Sequence, residues 1–126
     1  MSPEQVSTDK APKAIGPYSQ AVEVNGFIYT SGQIAVNPES GQIIQSGVEE
    51  QTRIVLENLK AILESAGSGL DKVIKTTIYL KNMEDFPVVN TAYSVYFTKM
   101  LPARSTVEVS RLPKDVLVEI DCVAVK

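Results

Sequence analysis

Val116-Leu117-Val118-Glu119-Ile120-Asp121-Cys122-Val123-Ala124-Val125 is a strand pattern with two unlike faces. Val116, Val118, Ile120, Cys122 and Ala124 recur at the two-residue period of a β-strand, a uniformly apolar row suited to packing under helices. Leu117, Glu119, Asp121, Val123 and Val125 form the opposite row. That row is too apolar for bulk water and too acidic for a dry core, which points to a wet interface shared between copies of the chain.

The elements that this strand must join lie upstream. Arg104 to Arg111 reads as a strand, separated from the last one by Leu112-Pro113-Lys114-Asp115. Val73 to Lys81 sets Ile74, Thr76, Ile78 and Leu80 against Lys75, Thr77, Tyr79 and Lys81, a half-buried alternation. Tyr18 to Val24 and Phe27 to Ser31 flank Asn25-Gly26, a pair that takes positive φ in a two-residue hairpin turn. The register pairs Val24 with Phe27, Val22 with Tyr29 and Gln20 with Ser31, so Tyr18, Gln20 and Ser31 are expected to project together. Gly32 to Gly47 reads as a long loop with at most a short strand near Ile43 and Ile44.

Two helical patterns complete the chain. Ser46-Gly47-Val48-Glu49 matches a capping box, after which Val48, Thr52, Val55, Leu59, Ile62 and Ala66 recur at helical steps until Gly67. The second stripe is Phe86, Val89, Tyr93, Tyr96 or Phe97, and Met100, with Asp85 as cap, Pro87 in the first turn and Pro102 as the stop. The expected fold class is α/β of the α+β kind, in the order β-β-α-β-α-β-β. Two helices cover only one face of the sheet. No composition shift or linker divides residues 1–126, so one domain is expected.

Composition narrows the chemistry. Twelve Lys plus Arg against fifteen Asp plus Glu leave a net charge of -3, with a pI near 4.9. No global positive field is available to hold a phosphate backbone, so nucleic acid is an unlikely partner on charge alone. With no histidine and one cysteine, Cys122, the usual zinc sites, His-based triads and an internal disulfide are all excluded. No metal or cofactor motif is present. Neither an export signal nor a membrane span is indicated, and a cytoplasmic, reducing setting fits best.

Three segments carry a specific likeness: Ala14-Ile15-Gly16-Pro17-Tyr18-Ser19-Gln20, Thr30-Ser31-Gly32-Gln33-Ile34, and Pro102-Ala103-Arg104-Ser105-Thr106-Val107-Glu108-Val109 running through Arg111-Leu112-Pro113-Lys114-Asp115 into the last strand. Together they resemble the Rid family of reactive intermediate deaminases, nearest its RidA, YjgF-like group. The resemblance spans essentially the whole chain. It implies a chorismate-mutase-like fold, a homotrimer with clefts between subunits, and hydrolysis of 2-imino acids such as 2-iminobutanoate and 2-iminopropanoate to 2-oxo acids and ammonia, with no cofactor and water as co-substrate. The resemblance also implies that such imines would be released by pyridoxal-phosphate dehydratases.

The residues make chemical sense beside that family. Arg104 offers two parallel donors to a carboxylate, although an arginine in a strand is also a common surface ion-pair partner. Glu119, between Val118 and Ile120, sits where desolvation raises a carboxyl toward proton transfer at neutral pH; its other reading is a solvated strand-face carboxylate. Tyr18 and Ser31 each offer a polar tip for a small ligand, or form an ordinary exposed pair. Gly32 lets a backbone N–H approach a carboxylate closely. The resemblance places Asn90 at the cleft and assigns Thr106 a role through its backbone carbonyl, where many relatives have cysteine. Phe86 reads as core, and Asp121 and Glu108 read as solvated. Two other functions stand beside the enzyme: a small-carboxylate-binding regulator without turnover, and an endoribonuclease or translation inhibitor, which the acidic charge disfavours.

The site is expected to need two chains. As a hairpin partner of the last strand, Arg104 would lie about 13 Å along the sheet from Glu119; in the fold that the resemblance implies, with the last strand central and the Arg104 strand at an edge, it would lie about 10 Å away. Neither spacing suits a three- or four-carbon substrate. Tyr18, Ser31, Gly32 and Glu119 are therefore assigned to one subunit, and Asn90, Arg104 and Thr106 to its neighbour.

Overall fold

The computed structural model describes residues 2–126. Its strands are β1 (Glu4–Val6), β2 (Ala21–Val24), β3 (Phe27–Thr30), β4 (Val73–Leu80), β5 (Ala103–Glu108) and β6 (Val118–Val125); its helices are α1 (Val48–Ser65) and α2 (Phe86–Tyr96). The six strands form one mixed sheet in the order β1-β2-β3-β6-β4-β5. Only β4 and β5 run parallel. The α+β class and the two-helix layer expected from the pattern are present.

β6 lies at the centre of this arrangement because it fills the gap left by a crossover. β3 and β4 are both antiparallel to β6 and hence parallel to each other, with α1 carrying the chain from one to the other. α2 then carries it from β4 to β5. Both crossovers step the same way across the sheet, so their common right-handedness puts both helices on one face. Against them β6 turns its apolar row: Val118, Ile120 and Ala124 are fully buried and Cys122 nearly so. Ile28, Val73, Ile78 and Leu80 join them beneath Val55, Leu56, Leu59, Ile62 and Leu63 of α1. Leu117, Glu119, Asp121, Val123 and Val125 are half-buried on the uncovered side.

Local signals held where the geometry was local. Asn25 (φ 56°) and Gly26 (φ 78°) make the hairpin turn, and the register is Val24 to Phe27 and Val22 to Tyr29 as the loop length requires. Element ends moved where tertiary contacts compete. Ser46 does not cap α1; Gly47 does, without a side-chain bond. The loop entering the helix is held instead by Gln51, which is buried and donates its amide to the Ile44 and Ser46 carbonyls while accepting from Leu117 N–H at 2.9 Å. α2 ends at Tyr96, short of Met100, which is 53% exposed. Asp85 flanks the helix without a side-chain cap bond. β1 is an addition that the polar N-terminal sequence did not announce; it pairs with β2 at the sheet edge.

Two further buried amides hold the loops. Gln20 accepts from Thr8 N–H at 2.7 Å and donates to the Thr8, Ala11 and Pro12 carbonyls. Its expected projection beside Tyr18 and Ser31 is therefore corrected: it is 4% exposed and ties the N-terminal segment to the hairpin. Asn58 donates to the Val36 carbonyl at 3.0 Å, anchoring the long loop to α1. The long loop also has the small pairing foreseen near Ile43, a bridge to Val36.

Under α2, the Tyr93 hydroxyl meets Thr76 Oγ1 at 2.8 Å inside the core. Tyr93→Phe is expected to cost about 1–3 kcal/mol, because Thr76, with no exposure, is left with an unpaired hydroxyl. Urea unfolding with an unchanged m-value measures it; a loss below 0.5 kcal/mol would show that the bond contributes little. Among the described residues, no helix is long and apolar enough to cross a membrane.

Candidate active site

Glu119 stands on the uncovered face of β6, opposite Tyr79 of β4. Beyond β3 the chain is stitched to β6 by two bonds, Gln33 N–H to the Ile120 carbonyl at 2.9 Å and Ile120 N–H to the Gln33 carbonyl at 3.2 Å. That stitch lays Gly32 directly against the Glu119 carboxylate. A Cβ at residue 32 would sit 2.8 Å from Glu119 Cδ, so the approach needs glycine. Burial is the main reason Glu119 holds its proton above the ordinary carboxylate range, and the nearby charge of Asp121 adds to it.

Gly32 and Tyr18 line the same cleft, of about 670 Å³, with Lys13, Ile15, Ile34 and Lys114 around them. Tyr18 is 50% exposed there. Ser31 bonds as the hairpin register requires, its N–H to the Gln20 carbonyl at 2.9 Å. Its hydroxyl donates to the Ser19 carbonyl at 2.6 Å, so Ser31 steadies the loop that carries Tyr18. Gly32 thus links the two parts of this group, lying against Glu119 and sharing the cleft with Tyr18, whose loop Ser31 steadies.

Arg104, Asn90 and Thr106 form a second group elsewhere. Arg104 lies on β5, the edge strand, and its Nη1 donates to Asn90 Oδ1 of α2 at 2.7 Å. Its guanidinium carbon is 5.2 Å from the Phe86 ring centroid and 5.0 Å from that of Tyr93. Tyr93 in turn leans on Phe97, with centroids 4.4 Å apart. The cation is thus held by two aromatic faces and a neutral acceptor. Among the described residues it has no ion pair, whereas Arg53 and Arg111 are engaged by Glu50 and Asp115. Among the described residues the bond to Asn90 is the one hydrogen bond its guanidinium makes.

The edge backbone adds to this group. Val109 N–H donates to the Leu80 carbonyl, so alternation along β5 turns the N–H and C=O groups of Arg104 and Thr106 to the open edge. A carbonyl at Thr106 is available there whatever its side chain is. Phe86 is a correction to the core reading: it is half-buried, packs on the core and also underlies the guanidinium. The spacing Phe86, Asn90, Tyr93 puts all three on one side of a helix, a signal indistinguishable in the sequence from an ordinary buried stripe.

Register separates the two groups decisively. Arg104 pairs with Thr76, and Thr76 with Cys122, so Arg104 is on the helix-covered side. Glu119 pairs with Tyr79, and Tyr79 with Val107, which are on the other side. Paired residues share a face. Within one chain Arg104 and Glu119 therefore occupy opposite faces of the sheet as well as strands two places apart.

The chain thus carries two separate groups: a carboxylate raised by burial against Gly32, and, on the free edge, a held guanidinium with no ion pair among the described residues. Residues 8–126 match the family model described as endoribonuclease L-PSP. The chain is 54% identical over 126 residues to a RutC family protein of Pyrococcus abyssi, covering 100% of this chain and 99% of that one. It is 48% identical over 124 residues to the 2-iminobutanoate/2-iminopropanoate deaminase of Escherichia coli K12, covering 96% of each. A solved structure of a Rid-family protein from Yersinia pestis matches with a TM-score of 0.97 at 48% identity, over 99% of this chain and 100% of that one. The chain belongs to the endoribonuclease L-PSP, or Rid, family, the family its motifs resemble.

Proposed function

We propose that the chain is a cytosolic, cofactor-independent deaminase that hydrolyses small 2-imino acids, of the 2-iminobutanoate and 2-iminopropanoate type, and that it works as a homotrimer with each site at a subunit boundary. The observation that carries this reading is Arg104: a guanidinium held in place with no acid partner, on a free sheet edge, on the opposite face from the carboxylate it must work with. A neighbouring copy docked with that edge against the uncovered face supplies what one chain lacks. The uncovered face suits such a neighbour, since Phe27, Tyr29 and Val107 are exposed there beside half-buried Val22, Val123 and Val125.

The chemistry then follows from the two groups. Arg104 takes the substrate carboxylate in a two-pronged charge-assisted pair, with the Thr106 carbonyl at the same edge accepting from the imine nitrogen. Water attacks C2 while Glu119 accepts one of its protons; the C=N electron pair moves to nitrogen. Glu119 then returns that proton to nitrogen to give the carbinolamine, takes up the proton of its new hydroxyl and passes it to the same nitrogen as the C–N bond breaks and C=O forms, and ammonia leaves with the 2-oxo acid. Tyr18 and the Gly32 N–H border the cleft where this water and substrate would lie.

The test couples the purified protein to a threonine or serine dehydratase and follows imine disappearance and ammonia release. Accelerated release supports the enzyme; unaccelerated release with retained carboxylate binding supports a regulator instead. Arg104→Lys is expected to lose about ten- to a hundredfold in kcat/KM, the cost of about 1.5–3 kcal/mol for a lost charge-assisted bond, because an ammonium presents one point charge where a fork is needed. Full activity in that variant would remove Arg104 from the substrate.

A further inference from the structure

Glu119 shares its strand face with a second carboxylate. Asp121 projects from the same side of β6, about 7 Å further along. Their surroundings differ. The Tyr79 hydroxyl donates to Asp121 Oδ2 at 3.0 Å, and the positive charge of Lys75, on the same face of β4, also favours the Asp121 anion. Lys75 is itself steadied by a 2.9 Å bond to Ser105 Oγ of β5. Tyr79 is the direct cross-strand neighbour of Glu119, yet its hydroxyl goes to Asp121. Among the described residues nothing donates to the Glu119 carboxylate.

The other elements around Glu119 add no compensating contact. Gly32, against it, has no side chain. On β3 the nearest titratable group on that face, Tyr29, opposes Val123. Lys13, Lys114 and Glu39 lie among the residues lining the cleft, and none of them is bonded to Glu119. The asymmetry between the two carboxylates therefore rests on Tyr79 and Lys75.

We propose that Asp121 is a positioning residue for Glu119: held as the anion by Tyr79 and Lys75, it makes Glu119 the member of the pair that carries the mobile proton. The inference rests on the reading of Glu119 as the group that relays a proton between water and nitrogen. When two neighbouring carboxyls share a half-dry face, the one with donors ionises first, and its charge then opposes ionisation of the other. Burial raises both, and Asp121 alone has groups that draw it back down. Tyr79 stays protonated as the donor, since burial and the adjacent carboxylates push its phenol upward. A proton relay works best when its affinity approaches the working pH, and this pairing moves Glu119 that way.

The test is a site-resolved NMR titration of the Glu119 and Asp121 carboxyls in the intact assembled protein, without substrate. The wild-type Glu119 midpoint is expected above the ordinary value of 4.5. In Asp121→Asn it should fall toward the ordinary value, and in Asp121→Glu, which keeps the charge, it should stay near wild type. Activity must be lost as pH falls through the Glu119 midpoint, so the acid limb of kcat/KM should move down with it in Asp121→Asn. A Glu119 midpoint unmoved in Asp121→Asn overturns the proposal. Should that variant fail to fold, Tyr79→Phe preserves every charge: the Asp121 midpoint should rise and that of Glu119 fall, and no movement of either is equally fatal. The titration needs no turnover, so a protein that hydrolyses no imine would overturn the deaminase reading while leaving the carboxylate pairing separately decided.

Discussion

Refolding an equal mixture of Arg104→Ala and Glu119→Gln chains, each inactive alone, is expected to restore about a quarter of the wild-type sites. The reason is the register of three strands. Arg104 is in line with Thr76 and Cys122 on the helix side, and Glu119 with Tyr79 and Val107 on the other, so no side-chain rotation brings both to one small substrate inside a chain. If every site draws its glutamate from one subunit and its arginine from the next, random reassortment supplies an intact donor of each kind with a chance of one half, and both with a chance of about one quarter in a closed ring. Activity measured on assemblies whose mixed composition is verified by native mass is the readout. Recovery near zero in verified mixtures would place both groups on the same chain.

Gly32→Ala is expected to lower kcat/KM about a hundredfold, the scale on which a misplacement of roughly 1 Å acts on catalysis, while leaving the fold intact. The new methyl would meet Glu119 Cδ at 2.8 Å and Cγ at 3.2 Å. Those atoms belong to the end of a flexible side chain, and Gly32 sits at the half-open cleft rather than in the core. The carboxylate gives way more easily than the backbone. Thermal unfolding within a few degrees of wild type, together with the rate loss, would identify the displacement; undiminished turnover would mean that the position of Glu119 over Gly32 is not the working one.

Much of this arrangement was legible before folding. The two faces of β6 followed from alternation alone, and the hairpin from Asn25-Gly26, whose backbone angles are set by contacts within four residues. Glu119 stood out because an acid flanked by Val118 and Ile120 in a strand must be partly desolvated. The errors fell where a distant partner decides. Ser46 looked like a cap, but its carbonyl is taken by the amide of buried Gln51, and Gly47 caps the helix with no side-chain bond. Gln20 looked like a neighbour of Tyr18 until Thr8, Ala11 and Pro12 claimed its amide. Phe86 and Tyr93 looked like core alone because a helix face reads the same whether its rings lie against aliphatic side chains or beneath a guanidinium.

The sequence by itself determined the element types, the covered and uncovered rows of β6 and the absence of histidine chemistry, since each depends on residue type and short-range periodicity, whereas the choice of Arg104 and Glu119 as site candidates also drew on the family resemblance. Only the tertiary structure decided that β6 enters between β3 and β4, that β5 is a free edge, and that Arg104 faces the helices while Glu119 faces away. The physical reason is register. A one-residue shift in pairing reverses every side chain to the opposite face, and the pairing of strands far apart in the chain is chosen by the packing of the whole sheet beneath α1 and α2, which no local stretch of residues contains.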